Sequence, residues 1–351
     1  MKLICTALLA ISSLLLHATV ITVDNNGNAP TGVQSSITSA ISAASVGDTL
    51  LIIPSTSSYG NITISKELTI IGVGFNPDME IALTSTVGNV IIQNVAGGTK
   101  LIGMVVTGLL TFGNTTGSLS NVIVENCQLN YMSNNGSLNS LTDIIIRQNV
   151  IRSLFLNTPD ITLSASNQSN IFIINNVFSR TSTSTSYRGP LVTTGGVTFD
   201  HNVFMGGASQ TAFRELRDCV VSNNIFLSID PGSALASSTD LTYRNNLSTT
   251  AGSFATMTGT NITLDSNIED DPTLENLPNA TVTYTYDLDP GMVMGSVGEN
   301  AGSDGTNIGV DGGTSPFKLT GSVLPVVRRF DLPTSIIQGS DANATIEVTG
   351  N

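Results

Sequence analysis

The sequence predicts an all-β solenoid, a parallel β-helix in which short strands stack coil upon coil. Two observations predict it: a phrase that occurs six times, and a composition typical of stacked β coils. The phrase reads apolar, any residue, apolar, two mostly polar residues, asparagine, apolar. Its asparagines follow one another at steps of 27, 26, 22, 22 and 21 residues. A fixed period in this range indicates a repeat architecture. The six asparagines are Asn149, Asn176, Asn202, Asn224, Asn246 and Asn267.

Each repeat predicts a short strand, a tight turn at the asparagine and a second strand. Asparagine tolerates the left-handed backbone that such a turn requires, and stacked asparagine side chains can bond to one another. We therefore expect the six asparagines to form one structural ladder along the molecule. Cys127 occupies the same place in an earlier coil. We expect about nine or ten coils of about 22 residues in all.

The composition agrees with this fold class and restricts the partners. Among 351 residues, 40% are apolar, 11% are charged and 5% are aromatic. Such aliphatic strands with uncharged polar turns suit a β solenoid. The net charge is −13, with no lysine or arginine cluster, so nucleic acid and anionic membrane surfaces are poor partners. We expect a monomeric rod with no membrane span.

The chain divides into a leader, a cap, a rod and a tail. Lys2 and the apolar run Leu3–Leu16 indicate a secretory signal that ends near Ala18, which places the mature protein outside the cell or at its surface. The run Val33–Ala44 has helical periodicity and predicts a short N-terminal helix that covers the first coil. The predicted parts are a signal peptide at 1–18, a strand and capping helix at 19–46, a β-helix at 47–315 that becomes irregular and acidic from about 269, and an extended tail at 316–351.

Three stretches carry a resemblance to a known family: the opening AISAASVGDTLLI…ELTIIGVG, the NNVF and NNIF coils, and the closing GTNIGVDGG at Gly305–Gly313. On these the chain resembles the right-handed parallel β-helix proteins of the pectate-lyase-like superfamily, and within it bacterial secreted β-helix proteins of unassigned function. The resemblance implies the fold. It implies no activity, since the superfamily includes lyases, hydrolases, esterases and proteins without known chemistry.

The motifs of the superfamily's well-known enzymes do not occur in the sequence. No RxPxxR follows an Asp-His pair, no GHG accompanies an Asp-Asp pair, and QD and DFIFG runs are missing. Asp200 and His201 are the one candidate acid and base, but they fill two ordinary positions of the phrase VTFDHNVF. No cofactor is indicated.

Two enlarged coils offer a candidate ligand site. The coils that end at Asn176 and Asn202 are four or five residues longer than the others, and the excess is expected to bulge within Asn157–Asn167 and Ser179–Pro190. Arginine forks and a tyrosine ring there would suit carboxylates and sugar faces. Tolerated surface insertion is the alternative. The candidate residues are Asp160, Arg180, Tyr187, Arg188, Arg214 and Arg217.

Three further features have structural interpretations. The column two residues before the asparagines should face outward, with cross-coil ion pairs Glu125–Arg147 and Arg244–Asp265. Calcium binding at Asp270 and Asp271 is an alternative to ordinary turn chemistry in the acidic region. Cys127 and Cys219 lie four coils apart, beyond the reach of a disulfide, and are expected to be buried free thiols.

The sequence therefore favours an exported β-helix protein that is structural or contacts carbohydrate, with a polysaccharide or surface glycan as partner and no evident catalytic site. A polysaccharide lyase or glycoside hydrolase with a non-standard site is the first alternative. An adhesin or a subunit of a surface assembly is the second.

Overall fold

The computed structural model describes residues 18–27, 30–76, 83–153, 160–180, 189–207, 210–232, 237–279, 283–319, 321, 326–331 and 345–349. The predicted signal peptide, apart from Ala18, lies outside these residues. No helix of the described residues is long and apolar enough to cross a membrane.

Most of the described chain lies in two large parallel sheets. Eleven strands form the first sheet, in the spatial order Val20–Val23, Thr49–Ile52, Thr69–Ile71, Lys100–Ile102, Ser118–Glu125, Ser140–Arg147, Asn167–Ile174, Val197–Asp200, Arg217–Ser222, Thr239–Arg244 and Thr260–Asp265. The main path of the second, 13-stranded sheet is Ile268–Glu269, Leu247–Ser248, Ile225–Leu227, Val203–Met205, Val177–Arg180, Val150–Ser153, Gln128–Asn134, Val105–Phe112, Val90–Ile92 and Ile62–Ile64. Thr86–Val87, Ile161–Leu163 and Leu191–Val192 attach beside it.

The chain passes alternately through the two sheets, and each passage is called a coil below. Equivalent residues of neighbouring coils are in register: Ile144 pairs with Val122 on one side and with Ile171 on the other. This arrangement is consistent with a parallel β-helix. The main hydrophobic core fills the space between the sheets, because alternate strand residues point inward. Phe178, Phe204 and Phe226 stack there, with ring centroids 4.4 and 5.2 Å apart.

The single α-helix of the described residues, α1, spans Ile37–Ala43. Ser36 caps it by accepting a hydrogen bond from the Ser39 N–H at 3.1 Å. Ile37, Ala40 and Ile41 are buried on the core side, as the periodicity predicts. The helix begins later than Val33 because the N–H of Gln34 donates to Thr22 O at 3.0 Å, which keeps that segment extended beside the first strand.

The turn at each asparagine differs from the prediction in one respect. The left-handed residue is the one before each of the six ladder asparagines, and before Cys127 in the preceding coil. The φ angle is therefore positive at this place in seven successive coils. These residues form what we call the turn column: Asn126, Gln148, Asn175, His201, Asn223, Asn245 and Ser266. The ladder asparagine itself enters the interior, where its amide group replaces the hydrogen bonds that a buried turn would otherwise lack.

A C-terminal strap, residues 301–316, runs along the turn column in the direction opposite to the coil order. Asn245 Nδ2 donates to Ala301 O at 2.9 Å, and Asn223 Oδ1 accepts from Ser303 N at 2.8 Å. Further along, Asn175 Nδ2 donates to Val310 O and Gly312 O, both at 2.9 Å, and Gln148 Nε2 donates to Ser315 O at 3.2 Å. The five coils from Gln148 to Asn245 therefore each hold the strap through a polar side chain of the turn column.

A second hydrophobic cluster lies between the second sheet and the segment that leads into the strap. The residue after each of the first five ladder asparagines points outward, yet it is buried: Val150, Val177, Val203, Ile225 and Leu247. Their cover is formed by Leu274, Leu277, Tyr284, Met292, Ile308 and Val310.

The run ATVTYTYDL alternates in the sequence as a strand would, which predicts a strand, but its described part, residues 283–288, is irregular. The reason is that Tyr284 is drawn into this cluster, while the Tyr286 ring lies under the Arg152 guanidinium at 4.6 Å.

Two antiparallel hairpins complete the described structure. Leu274–Asn276 pairs with Asp289–Met292 inside the C-terminal segment. Within the predicted tail, Val326–Asp331 pairs with Thr345–Thr349.

Candidate functional site

The six asparagines lie one above the other in the interior. In the middle of the ladder, both the backbone N–H and Nδ2 of Asn202 donate to Asn224 Oδ1 at 2.9 Å. Asn202 Nδ2 also donates to Ile173 O at 2.8 Å. The same pattern joins Asn149 to Asn176 and continues to Asn267, and it begins at the Cys127 N–H, which donates to Asn149 Oδ1 at 2.9 Å. The ladder stabilises the turns and is closed to ligands, since its members from Asn149 to Asn246 are fully buried.

A groove crosses the outer face of the first sheet. Its floor is a column of side chains in register from coil to coil: Lys100, Ile123, Ile145, Phe172, Thr198 and Val220. Two adjoining cavities of 390 and 300 Å³ lie over these residues, and both are lined by Asn170 and Phe172. Phe172 is 40% exposed and pairs across the strands with the apolar Ile145, so the floor has an apolar centre. The groove therefore spans six coils.

The rim of the groove arises from a second column of left-handed residues, two positions before the floor. Its members all have positive φ: Gly98, Asn121, Asp143, Asn170, Gly196 and Asp218. A left-handed residue bends the strand, so the outer face is concave here rather than flat. Asn170 Nδ2 donates to Asp143 Oδ1 at 3.0 Å, which links neighbouring rim residues.

Sequence reasoning missed this groove, although a signal for it was present. The floor corresponds to the second position of the repeated phrase, which can be any residue. This position is apolar in four coils, at Ile123, Ile145, Phe172 and Val220. An outward column of apolar residues predicts a covered or ligand-binding face.

Asp200 and His201 lie at the turn column, under the strap. His201 Nδ1 is 2.9 Å from Asp200 Oδ2, and His201 Nε2 is 3.2 Å from Thr306 Oγ1. Asp304 Oδ2 lies 3.7 Å from the same Nε2. Burial raises the pKa of the Asp200 carboxyl, but hydrogen bonds from His201, Ser222 and Asn223 outweigh it, so the pKa is held below its usual value.

This arrangement resembles a proton relay, yet it is closed. His201 is 2% exposed, and the strap lies against its ring at Gly312 and Gly313, where a Cβ would approach ring atoms to 2.5 and 3.2 Å. Thr306 Oγ1 is also occupied, because it donates to Asp304 Oδ1 at 2.8 Å and accepts from the Gly313 N–H at 2.7 Å. The geometry favours anchoring of the strap over acid–base chemistry on a substrate.

The enlarged coils are only partly described. Tyr187 and Arg188 lie outside the described residues, and so does the side chain of Arg180. The expected bulge at Asn157–Asn167 is wrong for its described part, because Ile161–Leu163 is a buried strand paired with Met132 and Ser133. Asp160 opens this strand and is 2% exposed, so its side chain does not face solvent.

Of the remaining candidates in these coils, Arg217 forms an ion pair with Glu215 at 3.0 Å. Arg214 is partly exposed in the adjoining segment, where its N–H donates to Pro190 O at 3.1 Å. The pairings Thr162–Leu191 and Leu191–Glu215 place Asp160 and Arg214 in nearby coils, with Asp160 buried and Arg214 partly exposed.

Asp270 and Asp271 lie between short strands at the start of the acidic region. Asp270 Oδ1 accepts the N–H of Asp271 at 2.8 Å, and both residues are exposed. Among the described residues, no three side chains of histidine, cysteine, aspartate or glutamate converge in a way that could hold a metal ion.

Cys127 and Cys219 are buried and have free thiols, as predicted. Burial raises the pKa of both thiols to about 12, so they are inert as nucleophiles. The predicted ion pair Glu125–Arg147 is confirmed, with Arg147 Nε donating to Glu125 Oε2 at 2.6 Å. Arg244 and Asp265 occupy paired positions, but the described structure contains no ion pair between them, and both side chains are exposed.

Comparison with known proteins yields no assignment: no protein-family model matches the chain, and no curated protein matches it.

Proposed function

We propose that this chain is an exported, right-handed parallel β-helix of the pectate-lyase-like superfamily that holds a carbohydrate outside the cell without cleaving it. Export is supported by the N-terminal run of one lysine followed by apolar residues. The fold is supported by the alternating parallel strands, their constant register and the asparagine ladder. The carbohydrate partner is the one expected from the sequence. The site that we propose for it is the groove on the first sheet, in place of the enlarged coils.

One observation carries the proposed function: the groove of six in-register coils, with a floor that is apolar in four coils and a rim that includes polar side chains. Ligand sites are usually concave, with apolar walls and a few polar groups that fix orientation. Sugar rings present C–H faces and hydroxyl edges, which match the floor at Ile145 and Phe172 and the rim at Asp143 and Asn170. Binding without cleavage is favoured because His201, the base of the candidate acid–base pair with Asp200, is buried beneath the strap.

The test is a panel of neutral and acidic polysaccharides immobilised on a solid support. The purified chain without residues 1–18 is passed over each polysaccharide, and the flow-through is assayed for newly formed reducing or unsaturated ends. We expect retention on at least one polysaccharide and no new ends. New ends would favour a lyase or hydrolase, and a complete lack of retention would favour an adhesin or a purely structural role.

A further inference from the structure

The groove has a repeat that restricts the shape of its ligand. Successive floor residues such as Ile145 and Phe172 belong to neighbouring strands of one sheet, and such strands lie about 4.8 Å apart. A pyranose unit in an extended chain advances by a similar distance. A glycan laid across the strands can therefore present about one sugar ring to each coil along the groove.

The groove lies on the face of the sheet, away from its edge. The backbone N–H and C=O groups of the six strands are engaged in the parallel ladder with their neighbours. An extended peptide usually binds a sheet by adding a strand at an edge, where main-chain groups are free. The face offers side chains alone, and these are suited to apolar ring faces and hydroxyl groups.

The charges along the groove restrict the ligand further. The rim contains the carboxylates of Asp143 and Asp218, and Lys100 at one end is the single cation among the lining residues of the two cavities. The whole chain has a net charge of −13. Such a field repels polyanions, whereas a carboxylate accepts hydrogen bonds from hydroxyl groups without opposition.

We infer that the groove binds an uncharged, extended polysaccharide, which lies across the strands with one sugar unit per coil over the six coils from Lys100 to Val220. This inference rests on the proposed function and specifies its ligand class, its orientation and its length.

The first experiment measures affinity against ligand length. Gluco-, manno- and xylo-oligosaccharides of increasing length are titrated by calorimetry into the chain without residues 1–18. We expect the affinity for one of these series to rise with each added unit and to level off at about six units, because the floor has six rows. A plateau at one or two units would overturn the one-unit-per-coil arrangement.

The second experiment removes the central ring contact. Phe172→Ala should weaken binding of the longest oligosaccharide by about tenfold or more, because the ring is the largest side chain of the floor. Met294→Ala is the matched control, since Met294 is 87% exposed and does not line the groove. Equal binding by the Phe172→Ala variant and the unchanged chain would place the site elsewhere.

The third experiment tests the charge of the ligand. The double variant Asp143→Asn with Asp218→Asn keeps side chains that tolerate left-handed backbone. We expect the double variant to gain affinity for oligogalacturonate at low salt relative to the unchanged chain, because two carboxylates that repel a polyanion are removed. If only acidic polysaccharides are retained by the unchanged chain, the ligand class inferred here is wrong while the proposed function stands. If no glycan is retained, both fail.

Discussion

At the residue scale, the turn column and the asparagine ladder have different roles in each turn. The left-handed residue makes the bend, at a cost of roughly 1–2 kcal/mol for a residue other than glycine. The next asparagine supplies the buried hydrogen bonds, as Asn224 does for the Asn202 N–H at 2.9 Å. Asparagine therefore suits the ladder position because of its hydrogen bonds. Tolerance of the left-handed backbone matters at the preceding position, in the turn column.

A substitution inside the ladder tests this division. Asn224→Ala should lower the free energy of unfolding by about 1–3 kcal/mol, because the buried Asn202 N–H loses its acceptor. Asn267→Ala is the matched control: Asn267 also accepts from the next-lower asparagine, but it is partly exposed at the last coil, so water can replace it. Urea unfolding curves measure both. Equal losses for the two variants would contradict the importance of burial.

At the element scale, the strap converts an irregular acidic segment into a structural element. It is held by polar contacts to the turn column, and the segment before it covers the outward apolar residues of the second sheet. Short strands that are apolar on both faces need a cover on each side. Val177 and Val203 pack against the C-terminal segment, while the neighbouring residues of their strands point into the main core.

A glycine substitution tests the fit of the strap. A Cβ at Gly312 would lie 1.9 Å from Asn307 O and 2.5 Å from His201 Cδ2, so Gly312→Ala must displace the strap. We expect hydrogen exchange of the amides in 301–316 to accelerate by about tenfold or more, since their protection depends on local docking. Gly136→Ala, where the added atom meets nothing within 4 Å, is the control. Unchanged exchange in the Gly312→Ala variant would show that the strap is held by other contacts.

At the scale of the whole molecule, stability is a sum of contacts between neighbouring coils, and the ends differ from the middle. α1 lies beside the first strands, with Ile37, Ala40 and Ile41 buried in the main core. At the other end, the last strand of the first sheet, Thr260–Asp265, is almost wholly exposed, and Leu264 is 45% exposed where its equivalents in earlier coils are buried.

Removal of the N-terminal cap tests its protective role. A chain that begins at Gly47 lacks the first strand and α1, and it should aggregate or form end-to-end oligomers because the edge at Thr49–Ile52 becomes free. The matched control begins at Thr19 and keeps both elements. Size-exclusion chromatography with light scattering compares them. A monomeric Gly47 chain of equal thermal stability would show that the helix does not act as a cap.

The sequence by itself determined the features that repeat. Its period located the strands that flank the ladder asparagines, the inward apolar columns, the Glu125–Arg147 pair and the absence of a disulfide between Cys127 and Cys219. These features are readable because each residue contacts its equivalent one coil away, so the spacing in the sequence encodes the contact directly.

The tertiary structure alone decided the features without a period. The docking of the strap on Asn175 joins residues more than a hundred positions apart, and no local pattern encodes such a contact. The same docking buries His201, and the bend at Asp143 and Asn170 turns an ordinary outward column into a groove. Which polar and apolar side chains remain accessible depends on what packs over them. In this protein, accessibility depends on the C-terminal segment that packs along the coils.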